Sequence, residues 1–136
     1  MNSLEEIIGT LTSWLNGHGE INSVTKGDPN ELDVLKATKF PVGHIFPEST
    51  IIYEGYTTHQ IRVWLLGQDH WDDLYRLHRV AQELMTSISR GALFDAQMRT
   101  GEPIAAESMY DFGQNRLYGW EIVFGLNMPN NVDNCA

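Results

Sequence analysis

Five histidines are the side chains in this sequence best suited to chemistry, because imidazole binds metals and titrates near neutral pH. They stand at positions 18, 44, 59, 70 and 78. None belongs to an H-E-x-x-H motif or to another spacing that sets two ligands on one helix face beside a carboxylate base. His70 and His78 share a predicted helix, but their spacing separates them by about 12 Å, too far for one ion. We therefore predict no metal site. His59, on the inward face of a predicted strand, is interpreted as a hydrogen-bonded core or interface residue.

Three carboxylates, Asp69, Asp72 and Asp73, stand where a long helix is predicted to begin. Such a cluster holds metal ions in some nucleases, but at a helix start the positive end of the helix dipole already explains it. No serine lies in a nucleophile-elbow context, nor does the lone Cys135, and no glycine-rich phosphate loop occurs. The sequence therefore supports neither an enzyme nor a cofactor. The enzymatic alternative, a small metal-dependent nuclease or other enzyme, would depend on Asp72, Asp73 and His78.

The charge balance of the chain argues against nucleic acid as a general binding partner. The chain has 136 residues, with 18 acidic and 9 basic side chains and a formal net charge of −9. Such a surface repels phosphate backbones, so a general nucleic-acid-binding face is disfavoured, although Arg76, Arg79 and Arg90 share one predicted helix. A single cysteine excludes an internal disulfide framework. No apolar run is long enough to cross a membrane, and the acidic start lacks the basic region of a secretory signal, which predicts a protein made in a cytoplasm.

Two amphipathic helices are predicted, over residues 3–16 and 69–91. Ser3 and Glu6 fit a capping box at the start of the first helix. In the second, Asp69 is the predicted cap and Gly91 the terminator. Apolar residues recur at three- and four-residue steps in both, which gathers them into one stripe per helix. The stripes are Leu4, Ile7, Ile8, Leu11 and Leu15 in the first helix, and Leu74, Leu77, Ala81, Leu84 and Ile88 in the second.

Short strands joined by turns are predicted for the rest of the chain. They lie at residues 20–26, 39–46, 57–66, 94–99, 104–110 and 117–128. Pro41 lacks an N–H for a ladder, which places the second strand at a sheet edge or a bulge. Residues 47–50 are predicted to turn, and the strands 94–99 and 104–110 to pair as a hairpin. The final run alternates over its whole length, so we expect it to be the central or longest strand.

This pattern predicts an α+β fold, an antiparallel or mixed β-sheet of about 5–6 strands with two helices packed on one face. The length supports a single domain over residues 1–136, with a polar C-terminal tail from about residue 129. The face of strand 57–66 that carries Ile61 is predicted to meet the helices. Trp14, Trp71 and Trp120 are placed in the core. Trp64 falls on the opposite strand face, where a subunit interface and a cover by the chain's own loops explain it equally well.

Two separated stretches of the sequence, Ile21–Ile45 and Gly119–Cys135, together point to a known family. They resemble small virion proteins of tailed bacteriophages, of the tail-terminator or tail-completion type, in which "gD…D…K.T.FP..H" follows the first helix and "GW…F…PN…C" closes the chain. The order of helices and strands also matches, whereas the predicted hairpin around Gly101 and the turn at residues 113–115 have no counterpart. The matching residues are Gly27, Asp28, Asp33, Lys36, Thr38, Phe40, Pro41, His44, Gly119, Trp120, Phe124, Pro129, Asn130 and Cys135.

The resemblance implies a structural virion protein, a ring-forming tail terminator, typically of six copies, that caps the tail tube and joins it to the neck or connector. Its partners would be copies of itself, the tail tube protein and the neck protein. DNA would pass only as cargo, and neither a membrane nor a cofactor is implied. The protein would be assembled in the host cytoplasm and located in the tail or neck of the virion. The alternative virion role is a neck or head-completion adaptor with the same fold and other partners.

A closed ring requires heterologous contacts, in which one patch meets a different patch on the next copy. The loop Lys26–Lys39 and the predicted hairpin Phe94–Tyr110 are the segments that we expect to supply them. The residues that we assign to subunit contacts are Asp28, Asp33, Lys36, Lys39, Trp64, Arg99, Glu102 and Arg116.

Overall fold

The computed structural model describes residues 4–27, 39–94, 99–100, 103–113 and 116–129. Within these ranges the chain forms two helices and six strands, and the predicted α+β class is confirmed. The elements in chain order are α1 (Leu4–Asn16), β1 (Ser23–Lys26), β2 (Val42–Ile52), β3 (Tyr56–Gly67), α2 (His70–Ser89), β4 (Arg99–Thr100), β5 (Ala105–Phe112) and β6 (Leu117–Pro129). The predicted capping residue Ser3 and the predicted tail from residue 130 onward lie outside the described residues.

The six strands form one mixed sheet in the order β1-β2-β3-β6, with β4 and β5 both paired to the outer side of β6. β1 runs parallel to β2, and the other pairs are antiparallel. β3 and β6 stay in register from Tyr56 opposite Pro129 to Gly67 opposite Tyr118. The predicted final strand is therefore the longest of the described strands and has neighbours on both sides.

Both helices pack on one face of the sheet, which we call the helix face. The predicted stripe of α2 is buried throughout, and the Ile61 face of β3 meets it as predicted. Every second residue of a strand faces the same way, so the long β3–β6 pair presents one continuous apolar surface to the two helices. The fully or nearly buried residues of this core include Ile7, Leu11 and Leu15 from α1, Leu77, Val80 and Leu84 from α2, and Ile61, Val63, Leu65, Ile122 and Phe124 from the sheet.

The ends of α2 differ in part from the prediction. Gly91 is in the left-handed conformation at φ 72, and its N–H and that of Ala92 bond the Ile88 and Ser87 carbonyls, so it terminates the helix as predicted. At the other end the side chain of Asp69 makes no cap bond. The carboxylate of Asp73 instead accepts the Asp69 N–H at 2.9 Å. The capping role therefore belongs to Asp73.

The predicted edge or bulge at Pro41 is wrong. β2 begins one residue later and lies between β1 and β3, so Pro41 removes no ladder bond, and its carbonyl accepts the Asn22 N–H at 2.8 Å. The predicted turn at residues 47–50 is wrong as well, because β2 continues through it. Pro47 lies next to a register shift and beyond the part of β2 that β1 covers. A proline without an N–H is tolerated there because no described strand pairs with that side of β2.

The predicted hairpin between residues 94–99 and 104–110 is wrong for the described part of these segments, which excludes residues 95–98, 101 and 102. β4 and β5 do not pair with each other; both run along the same edge of β6, with Thr100 opposite Leu126 and Ala105 opposite Val123. The true hairpin at this edge joins β5 to β6, and Gly113, at φ 71, begins the turn predicted for residues 113–115.

Candidate interaction surface

His18 illustrates how the fold uses its histidines. Its Nδ1 accepts the N–H of Glu20 at 3.1 Å, so the ring proton lies on Nε2 and is donated to the carboxylate of Glu83 at 2.7 Å. Both ring nitrogens are therefore engaged. His18 lines an open cleft of about 940 Å³ between α1 and α2, together with Ser13 and Ser87. The bond to Glu83 links the end of α1 to α2, so His18 holds the two helices together at this cleft.

His44 and His59 are likewise held inside the fold. His44 is buried; its Nε2 donates to the Gly27 carbonyl at 3.2 Å, and its Nδ1 accepts from the Thr25 hydroxyl at 2.6 Å. His59 Nδ1 lies 2.9 Å from the Thr50 hydroxyl, and burial lowers the pKa of His59 below its ordinary 6.5. The interpretation of His59 as a hydrogen-bonded residue is confirmed.

Of the three carboxylates at the start of α2, that of Asp73 stabilises the helix start. Asp73 is 2 % exposed; it bonds the Asp69 N–H and pairs with Arg76. A Cβ added to Gly67 would collide with the Asp73 carboxylate, so the end of β3 closes over this group. His78 packs against Trp120, whereas His70 stacks on Tyr118. Within the described part of the chain, no group of three or more His, Cys, Asp or Glu side chains is placed to hold a metal ion.

The sheet face opposite the helices, the far face, carries a half-buried cluster of charged side chains around Arg62. Arg62 bonds Glu48 at 2.7 Å and Glu121 at 2.8 Å. These bonds raise the pKa of Arg62 well above its ordinary value, and the hydrogen bond from Arg62 lowers the pKa of Glu48. The same Glu121 accepts the indole N–H of Trp64 at 2.8 Å. The three strands β2, β3 and β6 are thereby tied together across this face.

Trp64 is covered by its own chain. It is 8 % exposed and lies in a second apolar cluster on the far face, with Val42, Leu66 and Leu117 buried beside it. Its ring meets Phe112 edge-on at 4.7 Å and Phe46 at 5.0 Å. Of the two explanations that the sequence left open for Trp64, the cover by the chain itself is the one that the structure supports. It is a core residue and not an exposed contact.

The other residues assigned to subunit contacts are scattered. Asp28, Asp33, Lys36 and Glu102 lie outside the described residues. Lys39 is exposed next to β1, whose Ser23 hydroxyl donates to its carbonyl, while Arg99 lies in β4 at the opposite sheet edge. Arg116 is 73 % exposed and bonds Asp111 at 3.3 Å. The structure therefore does not gather the described members of this set into one patch.

An exposed group of aromatic rings stands where α2 begins, and we call it the aromatic surface: Trp71, Tyr75, Tyr110 and Tyr118. Trp71 is 55 %, Tyr75 70 % and Tyr110 51 % exposed. Trp71 lies 5.9 Å from Tyr110 and 5.7 Å from Tyr118, centroid to centroid. Tyr110 and Tyr118 meet at 90°. One wall of this surface is thus helical and the other is made by β5 and β6.

The placement of Trp71 in the core is wrong. At the first turn of α2 the buried side is carried by Asp73, Leu74 and Leu77, which leaves Trp71 and Tyr75 on the outer side. The sequence contained a usable signal for this, since Trp71 and Tyr75 stand four residues apart, off the apolar stripe, and so share one face of the helix. Tyr110 and Tyr118 could not be added to them without knowing that β5 pairs with β6.

The backbone around the aromatic surface is unusual. Among the described non-glycine residues, those with positive φ are His70, Asp111 and Arg116, at 25°, 50° and 53°. His70 precedes Trp71 and stacks on Tyr118 at 4.6 Å, Asp111 follows Tyr110, and Arg116 bonds Asp111. Such conformations cost of order 1 kcal/mol or more each and collect at functional sites. They all border this one surface.

A second exposed apolar group lies at the other end of the sheet, at the turn between β2 and β3. We call it the hairpin tip: Ile51, Ile52, Tyr53 and Tyr56, of which Ile52 is 76 % exposed. Tyr53 and Tyr56 stack at 4.8 Å. β3 runs from Tyr56 at this tip to Gly67 beside the aromatic surface, a span of about 35 Å in an extended strand. The two exposed apolar groups are therefore at opposite ends of the subunit.

Searches of protein-family models and of curated protein sequences found no match to this chain. Neither described helix combines the length and the apolar character needed to cross a membrane. The aromatic surface and the hairpin tip are the features of the described residues that point most clearly to contact with another molecule.

Proposed function

We propose that this protein is a structural subunit of a tailed bacteriophage virion, a tail terminator that assembles with copies of itself into a closed ring. The ring caps the tail tube and meets the neck or connector. The observation that carries this proposal is the aromatic surface, where Trp71, Tyr75 and Tyr110 are each more than half exposed. With about 200 Å² for a full aromatic side chain, these three expose roughly 350 Å². The largest apolar patch on a single chain has about this size and is often functional.

The described polar groups support an assembly role over catalysis. His18 and His44 have both ring nitrogens hydrogen-bonded. The carboxylate of Asp73 bonds the Asp69 N–H at the helix start and pairs with Arg76. A catalytic site needs such groups directed toward a substrate. The net charge of −9 suits a channel wall that does not retain passing DNA. The resemblance of the two sequence stretches to tail-terminator proteins is what supports a phage tail as the assembly.

The test of self-assembly is the particle formed by the purified protein. Native mass spectrometry and negative-stain images are expected to show a closed ring of one defined copy number. Replacing Trp71 and Tyr75 by serine should abolish the ring and leave the circular dichroism spectrum unchanged. Gln82→Ser, exposed on the same helix, is the matched control and should still assemble. A wild-type protein that stays monomeric at about 0.5 mM contradicts the ring.

The test of the virion setting is separate. Purified phage particles that carry the gene should contain the protein, and cryo-electron microscopy should place its density between the tail tube and the neck. Density wholly within the neck would instead assign it as an adaptor. Absence of the protein from mature particles would overturn the virion role, whatever the oligomeric state of the isolated chain.

A further inference from the structure

We infer that the hairpin tip of one copy docks on the aromatic surface of the next copy. This inference rests on the proposed function, because a ring requires two contact patches on each copy. The partner that binds each patch is a second copy of this chain. The two patches differ in structure and lie about 35 Å apart along β3. A contact between them is heterologous, which is the type that generates rings.

The shape of the hairpin tip favours this partner over a copy of the tip itself. Ile51 and Ile52 are neighbours in a strand, so their side chains point to opposite faces of the hairpin. A flat pairing of two tips would bury one of these side chains and leave the other in water. The aromatic surface has a helical wall, with Trp71 and Tyr75, and a strand wall, with Tyr110 and Tyr118. A tip seated against both walls can bury both of its faces.

The areas are those expected for the apolar centre of an interface. The aromatic surface exposes roughly 350 Å² on its three most exposed rings, while a stable interface takes about 800 Å² from each partner. The apolar centre of such an interface is surrounded by a polar rim. The aromatic surface alone is thus about half of one partner's share, and neighbouring polar groups would supply the rest.

Charge restricts how these two regions can meet. Copies with a net charge of −9 repel one another, and Asp69 and Asp72 are exposed beside the aromatic surface, so a partner region with few acids is required there. Glu54 is the single charged residue between Ser49 and Gln60. At the other patch, the exposed guanidinium of Arg116 lies two residues from Tyr118 and bonds Asp111. The docked arrangement offers Glu54 of one copy a cation on the next.

The decisive experiment mixes two single variants. Tyr75→Asp places a charge on the aromatic surface, and Ile52→Asp places one on the hairpin tip; both positions are at least 70 % exposed, so neither change should prevent folding. Each variant alone should be monomeric by analytical ultracentrifugation at about 0.5 mM, since each lacks one half of every contact. Their equimolar mixture should form a heterodimer and nothing larger, because one intact tip and one intact surface remain. Gln82→Asp is the matched control and should assemble like the wild type.

The other outcomes separate this inference from the ring itself. If Ile52→Asp alone still dimerises, the aromatic surface pairs with its own copy, and if Tyr75→Asp alone dimerises, the tip does so; either result overturns the inference. If both variants form rings, the ring uses other surfaces, so the inference fails while the proposed function stands. If the wild type forms open chains that both variants abolish, the contact is right and the closed ring is wrong. A monomeric wild type, or a mixture without heterodimer, overturns the contact.

A charge swap tests the rim of the same contact. Glu54→Arg and Arg116→Glu should each weaken self-association about fivefold, the effect of one exposed ion pair. Combining both changes in one chain should restore most of the affinity, because each copy then presents the reversed pair. Additive weakening in the double variant would remove Glu54 and Arg116 from the contact and leave the mixing experiment to decide the apolar part.

Discussion

The two sides of α2 both carry large, mainly apolar side chains, but these differ in exposure. On the inner side Leu77 and Leu84 are fully buried against the sheet, whereas on the outer side Trp71 and Tyr75 are 55 % and 70 % exposed. The inner residues recur at helical spacing over the whole helix, while the outer pair is confined to its first two turns. An apolar stripe that persists along a helix thus supports folding, whereas a short apolar group off the stripe points to assembly.

The largest expected effect comes from moving one charge between these two sides. Leu77→Asp buries an unpaired carboxylate in the main core and should lower the free energy of unfolding by more than about 5 kcal/mol, enough to unfold a domain of this size. The same change at Tyr75 should alter it by less than about 0.5 kcal/mol, as at an exposed site. Urea denaturation followed by tryptophan fluorescence measures both. Equal losses of unfolding free energy at Leu77 and Tyr75 would contradict the assignment of the inner side to folding and the outer side to assembly.

Trp64 lies in β3, and from the sequence it could belong either to the core or to a subunit interface. Its burial between Phe46 and Phe112 makes it a core residue, so Trp64→Ala should cost about 3–5 kcal/mol of unfolding free energy. Self-association should weaken only through loss of folded protein. A fully stable Trp64→Ala protein that fails to assemble would return this residue to the interface. Trp71→Ala is the comparison variant, with the reverse expectation.

Asp73 is the polar counterpart of the inner stripe. Its buried carboxylate joins the start of α2 to Arg76, beneath Gly67, so Asp73→Asn should lower the free energy of unfolding by about 1–3 kcal/mol. Asp72→Asn, one residue earlier and exposed, should cost less than about 0.5 kcal/mol. Thermal melts of the two variants give the difference. Equal small losses would show that the carboxylate of Asp73 does not hold the helix start.

The smallest expected effect is a pH dependence from His59. Because burial lowers its pKa in the folded protein below 6.5, the unfolded chain binds the proton more readily. The free energy of unfolding should therefore fall as the pH drops below about 6.5, until the lower folded pKa is passed. Urea denaturation at pH 7.5 and 5.5 should show this decline in the wild type and less of it in His59→Gln. A decline of the same size in both would assign it to other groups.

Much of the fold followed from local pattern. The α2 stripe was readable because helical spacing gathers its residues on one side, and Gly91 was readable as a terminator because glycine adopts positive φ at little cost. The alternation in β3 identified the face that meets the helices, and the alternation in β6 identified it as the longest strand. These features depend on neighbours within a few residues, which is why periodicity and turn chemistry identify them.

Errors arose where distant segments meet. Pro41 predicts a sheet edge or a bulge because the sequence does not show that the strand begins after it. A hairpin at residues 94–110 is predicted because the sequence does not show that β6 pairs with both β4 and β5. Capping went to Asp73 instead of Asp69 because Gly67 leaves room for its carboxylate.

Composition and short-range spacing were enough to predict the α+β class, the two helices and the main core, and they show no recognisable catalytic motif. That Trp64 is buried and Trp71 exposed follows from the folded arrangement alone, since their exposure depends on which strands and turns lie over them. The folded arrangement also brought Tyr110 and Tyr118 to the start of α2 and set the hairpin tip at the far end of β3. Surfaces of this kind are assembled by strand pairing across the chain, which residue spacing does not encode.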